Sequence, residues 1–452
     1  MRLRKTITTI VATAILLAGW QLFAVIANQP ELIPSLPRLV RTLCEWLVSG
    51  SFYQSVGATI FRGILGMSIS FVCAIGMAGL FARFEWVYEL FRPLLAIMRS
   101  IPVISFILLA LIFLNPESIP LMIAFLTMFP LLTENLTQGI LDLRPGLSIM
   151  ARQFHIKRSN VLFQIIYPQL KPFLYSGLAS AAGFGWRAII MGEVLSQCAF
   201  GIGSEMKRAQ NFIAVPELLA WTIVAVFISF FFDKGISKVA DITPKISFAN
   251  EDQTIPTPTL SVLDTKDISY QYGIQHFSHS FQKGIIYGIS APSGKGKTTL
   301  LNLIGGILLP TEGEIHPTRH FGIATIFQQP QLLPHLTAEE NIILPLSSFL
   351  TEEKARRIAQ KHLQEMEMEP FGNRYPKELS YGQQQRIAIA RALAYPSPLL
   401  LMDEPFKGLD EALSHRIIER IREKQMKEER IILFTSHNPD EIRLLADEVI
   451  YL

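Results

Sequence analysis

The stretch Leu379–Asp410 reads LSYGQQQRIAIARALAYPSPLLLMDEPFKGLD and decides the fold of the second half of the chain. A short polar loop precedes a helix rich in Ala, Ile and Arg, and an apolar strand at residues 399–402 follows that helix. The strand delivers two adjacent carboxylates, Asp403 and Glu404, at its C-terminal end. Because α/β sheets bind ligands at the carboxyl edge of their strands, we predict an α/β domain with a site there.

A phosphate loop lies upstream of this strand. The apolar strand IIYGI at residues 285–289 is followed by SAPSGKGKTTLLNLIGG, although Ala291 stands where the strict pattern has Gly. Glycines let backbone N–H groups wrap phosphates, a Lys reaches the outer phosphates, a hydroxyl binds Mg²⁺, and the following helix N-terminus favours the anion. The predicted nucleotide-binding residues are Ser293, Gly294, Lys295, Gly296, Lys297, Thr298 and Thr299, with Thr298 also a metal ligand.

The composition separates the chain into two dissimilar halves. Of 452 residues, 50% are apolar and 17% are charged, and acidic residues are sparse before residue 240. A formal net charge of +3 gives no reason to expect a surface that binds nucleic acid. The three cysteines, Cys44, Cys73 and Cys198, have no metal-ligand spacing and are expected to be small buried hydrophobes.

The first half is predicted to be an all-α membrane domain with about six spans. The apolar run Ile7–Ala27 follows the basic start MRLRK, which resembles a signal peptide, but no small-residue cleavage site closes it. The other predicted spans are Ile60–Ala82, Ile101–Leu114, Ile119–Leu132, Phe173–Leu195 and Val215–Phe232, and the third of the six can recruit the amphipathic stretch Val87–Met98. Basic residues at both ends of this half and between spans four and five predict cytoplasmic termini.

The basic connection between spans four and five reads IMARQFHIKRSNVLFQIIYPQLKP from Ile149. Its spacing resembles the cytoplasmic EAA motif of binding-protein-dependent importer permeases, with His155 at the position of the family's Gly. The segments IPSLPRLVRTL at Ile33, TIFRGILG at Thr59, MRSIPVISF at Met98 and GFGWRAIIMGEVL at Gly183 resemble sulfonate, nitrate, taurine and thiamine-precursor permeases. The resemblance implies that the basic connection is a helix that docks on an ATPase, and that without Gly its turn is made in another way.

Two ionisable residues fall inside the fifth predicted span. Arg187 is expected to face a cavity or another helix, whereas Glu193 lies near the outer end, where a solvated interfacial carboxylate is one interpretation and a functional residue is the other. We assign neither as a substrate ligand. Residues 241–260 are polar, contain prolines and have no periodicity, so we interpret them as a tether between a permease domain at 1–240 and an ATPase domain at 261–452.

Residues 260–452 resemble the ATP-binding cassette ATPases. LSYGQ at Leu379 is similar to the family signature LSGGQ, with Tyr381 in place of Gly, and IFQQPQLLPHLTAEENI at Ile326 is similar to the Q-loop region. The resemblance implies an α/β P-loop ATPase with a helical signature subdomain. Its implied nucleotide contacts are Ser380, Gly382 and Gln383 of the signature, Asp410 of KGLD, and Tyr272 as the aromatic that stacks on adenine, with Tyr270 as the alternative.

The resemblance also implies the roles of the residues that act on the phosphates. Asp403 holds Mg²⁺ through water, Glu404 orients or deprotonates the attacking water, and His437 in LFTSHNPDE contacts the γ-phosphate. Gln328 contacts Mg²⁺ or the attacking water. The predicted catalytic residues are therefore Glu404, His437 and Gln328, the predicted metal ligands are Thr298, Gln328 and Asp403, and the predicted cofactors are ATP and Mg²⁺.

Together these features predict an importer of the ATP-binding cassette class whose permease and ATPase are fused in one chain of the bacterial inner membrane, with the ATPase in the cytoplasm. One chain has one phosphate loop and one signature, so the resemblance implies a homodimer with two composite ATP sites. The expected partners are a second copy, a separate extracytoplasmic substrate-binding protein, a small polar solute and membrane lipid, and no nucleic acid. The alternatives are an exporter half-transporter and a membrane-anchored ATPase that senses or gates without transport.

Overall fold

The computed structural model describes residues 2–240, 244–253, 260–271, 273–292, 294–317 and 322–452. The helices of the first part are α1 (Arg2–Ala27), α2 (Leu36–Trp46), α3 (Gly50–Arg83), α4 (Glu85–Ser100), α5 (Val103–Phe113), α6 (Ile119–Leu141), α7 (Pro145–Gln153), α8 (Arg158–Asn160), α9 (Tyr167–Ser196), α10 (Ile202–Asn211) and α11 (Val215–Ala240). A short π-helical turn at Val161–Ile166 joins α8 to α9.

The remaining elements alternate between strands and helices. The strands are β1 (Val262–Tyr270), β2 (Ile274–Gln282), β3 (Ile286–Ser290), β4 (Glu312–His316), β5 (Ala324–Ile326), β6 (Leu399–Asp403), β7 (Ile431–Thr435) and β8 (Glu448–Tyr451). The helices are α12 (Lys297–Ile304), α13 (Ala338–Leu346), α14 (Glu352–Glu365), α15 (Tyr381–Ala394), α16 (Glu411–Glu428) and α17 (Pro439–Leu445). The chain forms two compact units: one contains the described residues before Arg144 and those from Gln169 to residue 240, and the other contains Arg144–Pro168 and the described residues from Pro244 onward.

The first unit is built from long apolar helices. Within the described residues, the segments long and apolar enough to cross a membrane are Gly50–Arg83, Pro116–Leu141, Arg158–Ser196 and Val215–Lys238. Many of their large apolar side chains are exposed, as expected of helices whose solvent is lipid. The helices α4 and α5 together are a further candidate, bent by 94° where Ile101 is extended before Pro102, because a residue that precedes proline is disfavoured in helix.

The number of spans stays a prediction. The first predicted span lies on α1, whose described apolar stretch Val11–Ala27 is shorter than the others. The predicted third span, Ile101–Leu114, begins at the bend between α4 and α5, and the stretch that it was expected to recruit is the separate helix α4. The predicted fourth span, Ile119–Leu132, continues nine residues further as α6.

A buried ionic cluster holds the first unit together. Glu193 has no exposed side-chain surface, so the interpretation as a solvated interfacial carboxylate is wrong. Its carboxylate is 2.7 Å from the guanidinium of Arg62 and accepts hydrogen bonds from the Thr59 hydroxyl at 2.9 Å and the Gly203 amide at 3.0 Å. Arg62 also pairs with Glu117 at 2.7 Å. A buried charge needs such partners, and the partner residues are distant in sequence.

The second unit contains two β-sheets and confirms the predicted α/β class. The parallel sheet has the order β5-β6-β7-β3-β8, and the antiparallel sheet has the order β2-β1-β4. Strands β3, β6 and β7 are almost entirely buried, which explains their continuous apolar sequences. The all-α first unit and the α/β second unit are the predicted fold class, and both are confirmed.

The segment Arg144–Pro168 is part of the second unit although it lies between helices of the first in sequence. It contributes six side chains to the larger hydrophobic core of that unit: Leu147, Met150, Ala151, Phe154, Ile156 and Ile165. The Phe154 ring packs edge-on against Tyr395, with ring centroids 5.1 Å apart. The Gln153 side chain donates to the Gly305 carbonyl, and the Gln153 carbonyl accepts from the Ile323 amide, both at 2.8 Å. The predicted boundaries at residues 240 and 261 stay a prediction.

The turn that follows α7 is made by His155 in the left-handed conformation, with φ of 46°. The Ile156 amide donates to the Ala151 carbonyl at 3.0 Å and the His155 amide donates to the Arg152 carbonyl at 3.2 Å. These two hydrogen bonds form a Schellman motif, which normally has Gly at the left-handed position. The expectation that the turn is made in another way is therefore wrong: the backbone geometry is the one that Gly usually adopts, and here a non-glycine residue carries its steric cost.

Residues 244–253 do not form a free tether. Ile246 and Phe248 pack against the larger core of the second unit. The Ala249 amide donates to the Ser347 carbonyl at 3.0 Å, and the Ser247 amide donates to the Asn160 side chain at 2.8 Å. The absence of periodicity predicted an unpacked segment, but irregular backbone that pairs with a neighbouring surface has no periodic pattern either. The rest of the predicted linker, at 241–243 and 254–259, lies outside the described residues.

We expect Arg62→Met to destabilise the first unit by about 3–5 kcal/mol, because it leaves the buried carboxylate of Glu193 without its cation. Thermal unfolding of the full chain in detergent, followed by size-exclusion chromatography, measures the change. Arg208→Met is the matched control, since the Arg208 side chain is 61% exposed and its pair with Glu205 is expected to contribute less than about 0.5 kcal/mol. Equal losses in the two variants would contradict a structural role for the buried cluster.

We expect His155→Gly to stabilise the second unit by about 0.5–1 kcal/mol, because Gly adopts the left-handed conformation without the steric penalty of a Cβ atom. The predicted increase in the unfolding temperature of the nucleotide-free full chain is about 1–4 °C. His155→Ala is the control, since alanine removes the imidazole but keeps the Cβ atom. A gain for Ala equal to that for Gly would show that the imidazole, and not the backbone, is the source of strain.

Candidate nucleotide site

Three adjacent strands bring the predicted phosphate-handling residues to one edge of the parallel sheet. The order β6-β7-β3 makes these strands neighbours, and all of their pairings are parallel. The phosphate loop follows β3, Asp403 and Glu404 follow the apolar part of β6, and His437 follows β7. Because the carboxyl ends of parallel strands share an edge, residues from three distant parts of the chain meet there.

The phosphate loop has the backbone that wraps an anion. Gly294 and Gly296 have φ of 81° and 89°, in the left-handed region, and a Cβ atom on Gly294 would meet no atom within 4 Å. Lys297 is the first residue of α12, and its ammonium donates to the Ala291 carbonyl at 2.7 Å. The methyl group at Ala291 therefore does not prevent the loop from closing around Lys297. Lys295 is exposed, Thr299 continues α12, and Ser293 lies outside the described residues.

The predicted metal ligands Thr298 and Asp403 lie side by side. The Thr298 hydroxyl donates to one Asp403 carboxylate oxygen at 2.9 Å, and the Thr435 hydroxyl donates to the other at 2.7 Å. Among the residues that the structure describes, no three His, Cys, Asp or Glu side chains form a metal-binding group. One carboxylate beside one hydroxyl fits Mg²⁺, which is usually held by one or two carboxylates together with waters and substrate phosphates.

Glu404 lies at the centre of the predicted hydrolytic residues. Its φ of 48° is a strained left-handed value, and its amide donates to the Thr435 hydroxyl at 3.1 Å. Its two carboxylate oxygens lie 3.1 Å from His437 Nε2 and 3.1 Å from Lys407 Nζ. Partial burial opposes ionisation of this carboxyl group, but Lys407, Gln328 and His437 outweigh it and hold the pKa of Glu404 below its ordinary value. The side chain is therefore ionised at neutral pH.

Gln328 and the signature segment meet within the same chain. The Gln328 side chain hydrogen-bonds Glu404, and the Gln328 carbonyl accepts from the Tyr381 hydroxyl at 2.8 Å. Tyr381 is the first residue of α15 and its side chain is 40% exposed. The Tyr381 hydroxyl thus joins the start of α15 to the backbone of Gln328.

The other predicted signature contacts have roles in local structure. Ser380 and Gln383 form a capping box at the start of α15: the Ser380 hydroxyl accepts from the Gln383 amide, and the Gln383 side chain accepts from the Ser380 amide at 2.8 Å. A Cβ atom on Gly382 would lie 2.7 Å from the Gly408 carbonyl oxygen, so this position requires glycine. Asp410 caps α16 by accepting from the Leu413 amide at 2.9 Å.

The structure thus brings together Thr298, Asp403, Glu404, His437 and Gln328, and places the signature residues against Gln328 and Gly408. Tyr272 lies outside the described residues, and its alternative Tyr270 is half-buried against the smaller core at the end of β1. Sequence reasoning missed Thr435 and Lys407 as partners of the two carboxylates. At Lys407 the chain reads KGLD where the ATP-binding cassette family usually has Ser-Ala-Leu-Asp, and this difference was the available signal for Lys407.

Comparison with known families gives two separate matches. Residues 274–407 match the model of ABC transporters, and residues 66–233 match the model of the binding-protein-dependent transport system inner membrane component. The two matched regions correspond to a permease domain and an ATP-binding domain fused in one chain.

Individual relatives match the second half. The Fe(3+) ions import ATP-binding protein FbpC of Rhizobium etli is 35% identical over 189 residues, which are 40% of this chain and 54% of the relative. The chain thus spans about half the length of that relative. The thiamine import ATP-binding protein ThiQ of Yersinia pseudotuberculosis is 34% identical over 205 residues, which are 42% of this chain and 86% of the relative.

Among solved structures, an ATP-binding cassette of Methanocaldococcus jannaschii in a dimeric, post-hydrolysis state bound to ADP and phosphate is similar to this chain. It is 32% identical, covers 42% of this chain and 94% of the solved chain, and has a TM-score of 0.40. The assignment rests on two findings. The chain is 34% identical to ThiQ over 86% of the length of that relative, and it matches both family models. The chain belongs to the ABC transporter family, as a multi-pass inner membrane protein with a cytoplasmic ATP-binding domain.

Proposed function

We propose that the chain hydrolyses ATP to import a small polar solute, as a homodimer that receives the solute from a separate extracytoplasmic binding protein. The observation that carries this proposal is the position of Arg144–Pro168. This segment lies within the region that matches the inner membrane transport component, yet its side chains are part of the ATPase core. A permease segment that is packed in this way cannot move without moving the ATPase core.

The phosphate-handling residues support hydrolysis. Glu404 is ionised, lies beside His437 and Gln328, and can orient or deprotonate an attacking water. Thr298 and Asp403 would hold Mg²⁺, which when bound neutralises charge on the phosphate oxygens of ATP. Lys297 supplies the cation of the phosphate loop, and Gly294, Gly296, Lys295, Ser293 and Thr299 complete that loop. We assign the adenine contact to Tyr272.

The proposed homodimer follows from the number of site elements in one chain. One chain carries one phosphate loop and one signature segment, Leu379–Gln383. In the proposed assembly the signature residues Ser380, Gly382 and Gln383, with Asp410, complete the ATP site of the second copy. Two copies then form two equivalent sites, and the import class of the relatives supports the direction of transport.

We expect Glu404→Gln to reduce kcat for ATP hydrolysis by about 100-fold or more, because the amide cannot accept the proton of water, while ATP still binds. Phosphate release from the full chain in lipid nanodiscs measures hydrolysis, and a fluorescent ATP analogue measures binding. Glu423→Gln makes the same chemical change at an exposed position of α16 and is expected to leave both unchanged. Undiminished hydrolysis in the Glu404 variant would refute its assignment as the base.

We expect the Glu404→Gln homodimer to capture an extracytoplasmic binding protein from the native envelope, to a different extent with and without ATP. The captured protein, with the small molecule that it carries, is then added to proteoliposomes of the unmutated chain. Stimulation of hydrolysis only when the binding protein and ATP are on opposite sides of the bilayer is the expected result for import. Stimulation that needs no extracytoplasmic protein would favour export or sensing instead.

A further inference from the structure

The side chain of Tyr381 reaches two loops that lie on either side of Glu404. Its hydroxyl donates to the Gln328 carbonyl at 2.8 Å. Its ring lies against Gly408, where a Cβ atom would be 2.7 Å from Tyr381 Cδ1 and 3.2 Å from Cε1. Gly408 also has φ of 79°, so both its conformation and the nearby ring require glycine.

Each of these two contacts of Tyr381 leads to the Glu404 carboxylate, one through Gln328 and the other through Lys407. Gln328, whose backbone binds Tyr381, also hydrogen-bonds Glu404 through its side chain. Lys407, the residue before Gly408, has its ammonium 3.1 Å from Glu404 Oε2 and its amide bonded to the Glu404 carbonyl at 3.2 Å. A single aromatic side chain on the signature helix therefore contacts the backbone of Gln328 and the neighbour of Lys407, two residues whose side chains interact with the hydrolytic carboxylate.

Tyr381 and Gly408, which both differ from the family pattern, are complementary in size. The chain has Tyr381 where the ATPase family pattern has Gly, and Lys407 and Gly408 where that pattern has Ser and Ala. The larger residue at 381 fills the space that the smaller residue at 408 leaves open. Two of the departures from the family pattern, Tyr381 and Gly408, are thus in direct contact in this chain.

We propose that Tyr381 is a positioning residue that couples the two ATP sites of the dimer. The proposal rests on the homodimer proposed above, in which the signature segment of one chain contacts the ATP of the other copy. Glu404 acts on the ATP held by the phosphate loop of its own chain. Binding of ATP to the signature segment of a chain then moves Tyr381, and with it the Gln328 and Lys407 contacts that set the position of Glu404 in the other site. Hydrolysis at the two sites is therefore cooperative.

The functional test compares the unmutated full chain with Tyr381→Phe in lipid nanodiscs. Phenylalanine keeps the ring on Gly408 and removes the hydrogen bond to Gln328. We expect the Hill coefficient for ATP hydrolysis to fall from a value between about 1.5 and 2 towards 1, with a smaller change in kcat. In the absence of nucleotide, amide hydrogen exchange of the segment around Gln328 is expected to become faster, since the segment loses an anchor.

The structural test measures the contact itself by thermal unfolding without nucleotide. We expect Gly408→Ala to lower the unfolding temperature more than Gly284→Ala does. Gly284 has a similar φ of 88°, but a Cβ atom there would meet no atom within 4 Å, so this variant measures backbone strain alone. The double variant Tyr381→Gly with Gly408→Ala is expected to recover the part of the loss that exceeds the Gly284→Ala control, because the methyl group then has room.

The outcomes separate this inference from the function on which it rests. A dimeric, ATP-hydrolysing chain with a Hill coefficient of 1, or a Tyr381→Phe variant that keeps the unmutated coefficient, would overturn the role of Tyr381 alone. Equal losses for Gly408→Ala and Gly284→Ala would overturn the contact. If native mass spectrometry showed that the ATP-hydrolysing chain is a monomer, the proposed homodimer and the coupling would both be overturned.

Discussion

The hydrogen bonds of Asp403 are the constraint on which the nucleotide site depends. One carboxylate oxygen accepts from Thr298 at the start of α12, and the other accepts from Thr435 at the end of β7. The Thr435 hydroxyl also accepts from the Glu404 amide, which holds Glu404 in its left-handed conformation. The ends of β6 and β7 and the start of α12 are thus joined through one buried carboxylate. Removal of the buried Thr435 hydroxyl would leave an Asp403 carboxylate oxygen without its partner, and an unpaired buried polar group costs more than its hydrogen bond contributes.

The second unit brings a buried cation to the interface between the signature helix and the permease segment. Arg391 of α15 is almost completely buried, and burial lowers the pKa of its guanidinium to about 10. The guanidinium lies 5.5 Å from the Phe154 ring centroid and donates to the Gln331 carbonyl at 2.8 Å. One side chain therefore contacts both the segment Arg144–Pro168 and the segment that follows Gln328.

The features that the sequence predicted are those specified by local pattern. Lys297, Thr298, Asp403 and Glu404 lie at strand ends whose apolar runs are continuous in sequence, so both the sheet and its carboxyl edge could be inferred. The burial of Glu193 could not be inferred in this way, because its cation, Arg62, lies 131 residues earlier in the chain. The docking of residues 244–253 likewise depends on the distant Ser347 and Asn160. These features depend on packing between residues that are far apart in the sequence. The local sequence pattern does not show which distant residues pack together.

The signature segment shows why a match to the family motif alone does not distinguish residues needed for folding from residues that bind nucleotide. Ser380 and Gln383 are engaged in a capping box, Asp410 caps α16, and Gly382 is required by the close approach of Gly408. The capping residues would stabilise the starts of α15 and α16, and Gly382 would be needed for close packing, even if no nucleotide were bound. Tyr381 is different, because a helix N-terminus does not require an aromatic residue and its hydroxyl serves neither cap. Its contacts lead instead to Gln328 and Gly408, so among the signature residues Tyr381 is the one whose contacts link the segment to Glu404.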